Sequence, residues 1–224
     1  RIKRGDVEAD MERIRSLGVE FRLDFEVTGL EELRAQGFTD FFAATGAPVA
    51  RELPIKGEGL RKVDALAFLE ETRGAVSGVS PSPYGPAARI VVAGGGNTAL
   101  DAARAALRLP GVQSVTIAYR RTKDEMPADK EELEAAISEG ALLMELALPE
   151  EARRAGEKTS LVLRRMRLGA PDASGRPRPE PSERTELLDC DLLVSAIGET
   201  PDAGLLKRLG IEVGSNGRPI VDPA

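Results

Sequence analysis

Residues 89–104 have the sequence RIVVAGGGNTALDAAR, and this stretch decides the fold. After Arg89, residues 90–93 form a short, continuously apolar run, which predicts a strand over residues 89–93 that is buried on both faces. From Asn97 onward the pattern is helical. Between the two, Gly94, Gly96 and Ala99 have the spacing G-x-G-x-x-A. A glycine turn between a strand and a helix is typical of sites that bind the phosphates of a dinucleotide.

Each position of this turn has a physical role in such a site. Gly94 permits the tight turn, Gly96 lets a pyrophosphate approach the backbone, and the small Ala99 lets the helix pack closely on the strand. Free amides and the helix dipole at the start of the helix favour an anion. We therefore expect the pyrophosphate to be held by Gly94, Gly95, Gly96, Asn97 and Thr98. The alternative is a glycine-rich corner that binds no ligand.

The next strand, residues 114–119, indicates which dinucleotide is bound. An NAD site usually has Asp or Glu at the end of this strand to hold the ribose 2′-hydroxyl. Here the strand ends at Tyr119 and is followed by Arg120 and Arg121. Two guanidinium groups suit a 2′-phosphate, so we expect NADPH rather than NADH. The alternative is a solvated pair of arginines neutralised by the nearby carboxylates of residues 124–125.

The rest of the chain after residue 89 continues the alternation of strands and helices. The order predicts an α/β fold: a Rossmann-like parallel sheet with helices on both faces, plus an antiparallel β excursion. The predicted elements are helices at 97–109 and 128–138, strands at 114–119, 141–147 and 192–197, and the excursion at 160–168 with a loose turn over 169–184.

The first 86 residues have a less regular pattern. Thr28 and Glu31 resemble a capping box at the start of a short helix. Residues 38–45, FTDFFAAT, predict a buried strand, because they form an apolar run that ends at glycine and proline. The other predicted elements are a helix at 6–17, a strand at 19–25, a helix at 63–72 and a linker at 74–86.

Composition excludes several kinds of chemistry. With no histidine and one cysteine, Cys190, the chain has no His-based nucleophile system, no internal disulfide and no cysteine-ligated cluster. We expect no catalytic residue and no metal ligand, and a strand-edge thiol at Cys190. The net charge of −6 argues against nucleic-acid or anionic-membrane partners. No apolar run is long enough to span a membrane, and the lack of disulfides suggests a cytoplasmic protein.

The chain also resembles a known family. Residues 91–104 (VVAGGGNTALDAAR), the YRR at 119–121 and the EMP at 125–127 are similar to the flavoproteins of the glutamate synthase small (β) subunit family. Residues 106–112 (ALRLPGV) and 166–177 (MRLGAPDASGRP) look closer to relatives named as selenate reductase iron–sulfur subunits. This pyridine nucleotide-disulfide oxidoreductase family inserts an NAD(P)H domain into an FAD domain.

The resemblance implies a domain organisation. The family joins its two domains through A-x-G segments, which residues 44–46 and 196–198 match. We expect an excised piece: a partial FAD-domain segment at 1–55, the NAD(P)H-binding domain at 56–198 and a second partial FAD-domain segment at 199–224. The family's FAD fingerprint, its later Gly-Asp segment and its iron–sulfur cysteines are absent, so we expect no bound FAD in this fragment.

The resemblance also implies the function. In the intact protein, hydride would pass from NADPH to FAD, and electrons would then pass through iron–sulfur centres to a downstream acceptor subunit. Arg120 and Arg121 would hold the adenosine phosphate, and Ala196, Ile197 and Gly198 would lie beneath the coenzyme. The partners would be the remainder of the flavoprotein chain and that acceptor. The alternative is a non-catalytic Rossmann module that binds or senses a nucleotide.

Overall fold

The computed structural model describes residues 4–85, 87–156, 158–172 and 175–221. Within that part, the helices and strands are, in chain order, α1 Arg4–Ser16, α2 Leu30–Ala35, β1 Val49–Ala50, β2 Arg61–Asp64, α3 Ala65–Val76, β3 Arg89–Gly94, α4 Asn97–Leu107, β4 Ser114–Tyr119, α5 Lys130–Ser138, β5 Leu142–Glu145, β6 Ala147–Ala155, β7 Lys158–Pro171, β8 Pro177–Asp189, β9 Leu192–Ala196, β10 Glu199–Thr200 and α6 Ala203–Arg208.

The chain divides into two compact units. The central unit is Thr45–Asp202, and the terminal unit comprises Arg1–Ala44 and Ala203–Ala224. The boundaries expected from the sequence, at residues 55/56 and 198/199, answer a different question from these two compact units. They assign the outer segments to an FAD domain, whereas the units are defined by compactness. That assignment stays a prediction.

A five-stranded parallel sheet forms the centre of the central unit, in the order β2-β9-β3-β4-β5. The crossovers through α3, α4 and α5 all advance in one direction across the sheet. Because such crossovers are right-handed, these three helices lie on the same face. The return from β5 to β9 runs in the opposite direction and therefore crosses the other face. That return connection contains the antiparallel sheet β6-β7-β8.

Two apolar cores follow from this layering. Strand β3 alternates between them, since successive side chains point to opposite faces: Ile90 and Val92 pack with the helices, and Val91 and Ala93 pack with the antiparallel sheet. The predicted parallel sheet with an antiparallel excursion is thus confirmed. One detail differs: among the described elements, the helices cover one face of the sheet, and the antiparallel sheet covers the face for which the sequence suggested further helices.

An ion pair fixes β3 against β9 at the end of the sheet where both strands begin. Asp191 accepts hydrogen bonds from the backbone amides of Ala88 and Arg89, at 3.1 and 2.8 Å. Its carboxylate also pairs with the Arg89 guanidinium, with 2.7 Å between Nη2 and Oδ1. These bonds from Arg89 hold the pKa of Asp191 below its usual range. The register of the two strands is set here, and their opposite ends form the site.

The structure corrects two strands predicted in the terminal part of the chain. Residues 19–25 and 38–45 contain no strand. Most of their apolar side chains are exposed, with Leu23 at 72% and Phe42 at 95%, because no other described segment forms a strand pair with them. An alternating or apolar pattern produces a strand only when a neighbouring strand supplies hydrogen bonds. The predicted capping box is also wrong, since α2 begins after Gly29 without a side-chain cap.

Two further corrections concern the central unit. The helix predicted at 63–72 begins later, at Ala65, and continues to Val76, into the segment predicted as a linker. The loose turn predicted at 169–184 is mostly strand, because β7 reaches Pro171 and β8 starts at Pro177. Much of β8 faces solvent and is rich in charged residues and proline, so its sequence has no apolar pattern that would predict a strand. Among the described helices, none combines the length and apolar character that crossing a membrane requires.

Ser195 on β9 offers a test of the core. Its hydroxyl is buried and has no hydrogen-bond partner among the described residues. We expect Ser195→Ala to leave the free energy of unfolding unchanged or to raise it by up to about 1 kcal/mol, because an unsatisfied polar group is removed. Leu193→Ala, on the same strand, should lower it by about 2–5 kcal/mol. Denaturant unfolding of both variants would measure this. A large loss for Ser195→Ala would contradict the expectation.

Candidate functional site

Three consecutive glycines connect β3 to α4, and each has a different environment. Gly94 has a φ of +154°, and a Cβ there would lie 2.2 Å from the Ala196 carbonyl oxygen. A Cβ on Gly95 would lie 2.5 Å from the ring of Tyr119, whereas a Cβ on Gly96 would meet no atom within 4 Å. The first two glycines therefore allow close packing of the protein on itself. The third leaves open space beside the backbone.

The start of α4 differs from the starts of its two neighbouring helices. The Asp64 side chain accepts hydrogen bonds from two amides of α3, and the Asp129 side chain accepts one from α5. Helix α4 begins after Gly96, which supplies no side-chain cap. The first amides of a helix need acceptors, and the helix dipole favours a negative one. This helix end is therefore suited to an anion placed beside Gly96.

A cavity of about 880 Å³ opens at this point. It lies at the carboxyl ends of β3, β4 and β9, the usual position for ligands in open α/β sheets. Its volume is within the range of about 300–1,000 Å³ that small-molecule sites occupy. The cavity is lined by segments 51–56, 93–96, 118–121, 147–150 and 196–199, together with Lys62, Thr98, Pro127 and Arg176. All of these residues belong to the central unit.

The cavity lining is positively charged in a chain of net charge −6. Among the described residues of the lining, three carboxylates are outnumbered by six cations: Arg51, Lys56, Lys62, Arg120, Arg121 and Arg176. A concave surface lined by one sign of charge concentrates ligands of the opposite sign. The cavity therefore favours an anionic ligand, although the molecule as a whole repels one.

The two predicted phosphate-binding arginines have different environments. Arg120 is exposed and lines the cavity. Partial desolvation, with repulsion from Arg121, lowers the pKa of Arg120 below its usual range. Because the usual pKa of arginine lies far above neutral pH, Arg120 remains charged. The Arg121 side chain is only 4% exposed. Its Nη2 pairs with Asp172 Oδ2 at 2.8 Å, and its Nε donates to the Pro177 carbonyl at 2.7 Å.

Asn97 does not line the cavity with the other predicted pyrophosphate residues. Its Oδ1 accepts a hydrogen bond from the Asp129 amide at 2.9 Å, and the Gly95 carbonyl accepts one from the Ala128 amide at 3.2 Å. The Tyr119 hydroxyl donates to the Glu125 carbonyl at 2.8 Å. These three bonds hold the loop that carries the EMP residues against the glycine turn, and so fix one wall of the cavity.

The predicted residues 196–198, at the end of β9 and directly after it, lie opposite the glycine turn. Ala196 pairs with Gly94 across the sheet, and Ile197 is 38% exposed at the cavity. Gly198 has a φ of +108°, where a residue with a side chain would be strained. Its carbonyl accepts a hydrogen bond from the Arg51 amide at 3.0 Å, beside the short antiparallel pair β1–β10. This contact brings segment 51–56 to the cavity rim.

Sequence reasoning missed four cationic residues of the lining. Arg51, Lys56 and Lys62 come from segments before the glycine turn, and Lys62 donates to the Leu53 carbonyl at 3.0 Å. Arg176 comes from the turn between β7 and β8. Only its position between a glycine and a proline marks it in the sequence, and that pattern indicates a turn rather than a ligand.

Comparisons with known proteins show the family of the chain. The profile of the pyridine nucleotide-disulphide oxidoreductase family matches residues 13–224, and the chain belongs to that family. It is 37% identical over 219 residues to the NADPH-Fe(3+) oxidoreductase subunit beta of Geobacter sulfurreducens, covering 92% of this chain and 31% of that protein. It is 32% identical over 213 residues to the glutamate synthase (NADPH) small chain of Azospirillum brasilense, covering 90% and 44%.

These matches confirm the family resemblance stated from the motif residues. The chain spans between one fifth and one half of the length of the curated relatives that it matches. Its fold is similar to that of Mycobacterium tuberculosis FprA in complex with NADPH, with a TM-score of 0.52 and 23% identity. That match covers 70% of this chain and 49% of FprA, and it concerns the fold alone.

The two outer glycines of the turn should respond differently to substitution by alanine. We expect Gly94→Ala to lower the free energy of unfolding by about 3 kcal/mol or more, because overpacking and backbone strain each cost about 1–3 kcal/mol. Gly96→Ala should change it by less than about 1 kcal/mol, since its φ is −94° and the space beside it is open. Thermal and denaturant unfolding would show the contrast. Equal losses would contradict the assigned roles.

Cys190 should be unreactive in the folded chain. The thiol is fully buried, and burial raises its pKa to about 12, with the Asp191 carboxylate adding to the shift. Because the thiolate is the reactive form, we expect no labelling by a thiol-specific alkylating reagent at pH 8. Complete labelling should follow unfolding in denaturant, as measured by mass spectrometry. Rapid labelling of the folded chain would contradict this expectation, because it would show that the core around Cys190 opens to the reagent.

Proposed function

We propose that this chain binds NADPH in the cavity at the carboxyl ends of β3, β4 and β9. In the intact oxidoreductase it would hold the coenzyme while hydride passes to FAD for onward electron transfer. The observation that carries the proposal is the start of α4: an 11-residue helix without a side-chain cap begins beside Gly96, where a Cβ would meet open space, and this helix end lies at a cationic cavity.

The glycine turn would bind the pyrophosphate. Its backbone approaches the ligand at Gly96, and the amides of Asn97 and Thr98 supply donors at the positive end of the helix dipole. The Asn97 side chain is engaged with Asp129, so its contribution would come through the backbone amide. Gly94 and Gly95 would act by allowing the turn to pack against Ala196 and Tyr119.

The adenosine end would lie at the tip of β4. Arg120 is exposed to the cavity, and no carboxylate in the described part of the chain forms an ion pair with it. It is therefore the predicted arginine that is able to meet a 2′-phosphate directly, with Arg121 behind it. The names of the relatives support this coenzyme, since both the Geobacter and the Azospirillum proteins are named for NADPH.

The nicotinamide end would lie near Ala196, Ile197 and Gly198. Ile197 offers an apolar surface at the cavity, and the φ of Gly198 turns the chain sharply beside it. The coenzyme and the flavin supply the hydride chemistry when they are bound, and the protein supplies placement. No side chain of this site is assigned an acid or base role. FAD, iron–sulfur centres and an acceptor subunit would belong to the remainder of the intact protein.

A second candidate function is a nucleotide-binding module that transfers no electrons. It is favoured by one observation: all of the described residues that line the cavity belong to the central unit. Binding would then require no flavin. Both candidates predict coenzyme binding, and they differ in whether a flavin domain completes the site.

Calorimetric titration of the purified chain with NADPH, NADH and ADP tests the proposal. We expect NADPH to bind with at least about tenfold higher affinity than NADH, since a charge-assisted hydrogen bond contributes about 1.5–3 kcal/mol. Arg120→Ala should remove most of this difference and leave NADH affinity within about twofold. Gly96→Ala should weaken both coenzymes while the fold is retained.

The visible absorbance of the same sample shows whether the chain carries a bound flavin. We expect a colourless chain, because the flavin would be held elsewhere. A stoichiometric bound flavin would contradict the interpretation of the chain as a piece of the flavoprotein without its flavin site. Absence of any coenzyme binding would contradict both candidate functions.

A further inference from the structure

Arg121, just after β4, binds the described residues Asp172 and Pro177 between the end of β7 and the start of β8. The guanidinium of Arg121 contacts both sides of the β7–β8 turn: Asp172 at the end of the incoming strand and Pro177 at the start of the outgoing strand, at 2.8 and 2.7 Å. The Asp172 amide also donates to the Arg176 carbonyl at 2.8 Å. Arg121 therefore fixes the chain on either side of Arg176.

In this arrangement the Nε and Nη2 donors of Arg121 bind groups of the protein itself. The side chain is almost completely buried, and two of its three nitrogens make short bonds to the turn. A guanidinium recognises phosphate best when its planar edge is free to bind two oxygens. The Nε and Nη2 edge of Arg121 is occupied, so this residue is poorly placed to bind a ligand through that edge.

Arg176 takes a place at the cavity instead. It is half-buried and lines the same cavity as Arg120. The charge of Arg176 contributes to lowering the pKa of Arg120, which agrees with their closeness. Two guanidinium groups, one from the tip of β4 and one from the β7–β8 turn, thus repel each other across a part of the cavity that suits a multivalent anion.

We propose that Arg176 is a second direct ligand of the adenosine 2′-phosphate, opposite Arg120, and that Arg121 and Asp172 are positioning residues that hold the turn in place. This inference rests on the proposed function and deepens it. A phosphate monoester carries nearly two negative charges and three acceptor oxygens, so it can accept from two guanidinium groups at once. The negative charge of the phosphate would offset the repulsion between the two guanidinium groups.

The test compares ligands that differ only in the 2′-phosphate. Adenosine 2′,5′-bisphosphate and adenosine 5′-monophosphate form one pair, and NADPH and NADH form the other. Arg176→Ala should weaken NADPH and the bisphosphate by about tenfold and change NADH and the monophosphate by less than about twofold. Arg176→Lys should recover part of the loss, because it keeps the charge and loses the planar fork.

Arg178→Ala is the matched control. Arg178 lies two residues further along the same segment, is exposed and does not line the cavity. It removes the same charge from the molecule, so it reports any general electrostatic effect. We expect all four affinities to stay within about twofold. A loss equal to that of Arg176→Ala would show a nonspecific charge effect and overturn the proposal.

The positioning role needs a double-mutant cycle. Asp172→Asn should weaken NADPH binding about threefold or more and leave NADH unchanged, because the turn that carries Arg176 loses its ion pair with Arg121. In the Arg176→Ala background, the same substitution should have no further effect on NADPH affinity. Additive losses would overturn the positioning role, and unfolding curves would reveal any variant that is merely unstable.

Failure of the inference and failure of the proposed function are distinguishable. If the unaltered chain prefers NADPH and this preference survives in Arg176→Ala, the role of Arg176 is overturned and NADPH binding stands. If the unaltered chain binds neither coenzyme, or binds both equally, the assignment of NADPH and the role of Arg176 fall together.

Discussion

The close approach of β3 to β9 at Gly94 is the constraint on which the site depends. The Gly94 backbone lies against the Ala196 carbonyl with no room for a Cβ, and Asp191 and Arg89 fix the same two strands at their other ends. Because β3 and β9 are held together at both ends, the glycine turn that follows β3 is fixed relative to the end of β9. The start of α4 and the segment after β9 are thereby placed on opposite sides of one cavity.

The central sheet could be predicted from the sequence because its signals are local. Strand β4 has the predicted bounds, since continuous apolar runs and short connections specify a buried parallel strand without reference to distant residues. Residues 38–45 carry a similar apolar signal and form no strand, because pairing depends on a neighbour that local sequence does not specify. Strand β8 shows the converse, since its pairing with β7 outweighs its prolines and charges.

In the candidate site, too, the features set by adjacent residues could be predicted from the sequence, and those set by distant residues could not. Glycine spacing predicts the turn, because the backbone geometry of a strand–helix corner is set by adjacent residues. Arg176 could not be predicted, since its place at the cavity depends on where the return connection crosses the sheet. The different environments of Arg120 and Arg121 were equally hidden, because the burial of Arg121 depends on Asp172, 51 positions further along the chain.

The burial of Arg121 has a consequence for coenzyme engineering. Arginines after the second strand of a dinucleotide fold are the obvious targets for converting a protein to NADH by acidic substitution. In this chain a carboxylate at position 121 would replace a side chain that is only 4% exposed and would lie beside Asp172, so its charge would be penalised by burial and by repulsion. Under the proposed role of Arg121, coenzyme selectivity and the attachment of one sheet to the other share this residue, so of the two arginines after β4 only Arg120 can be exchanged without loosening that attachment.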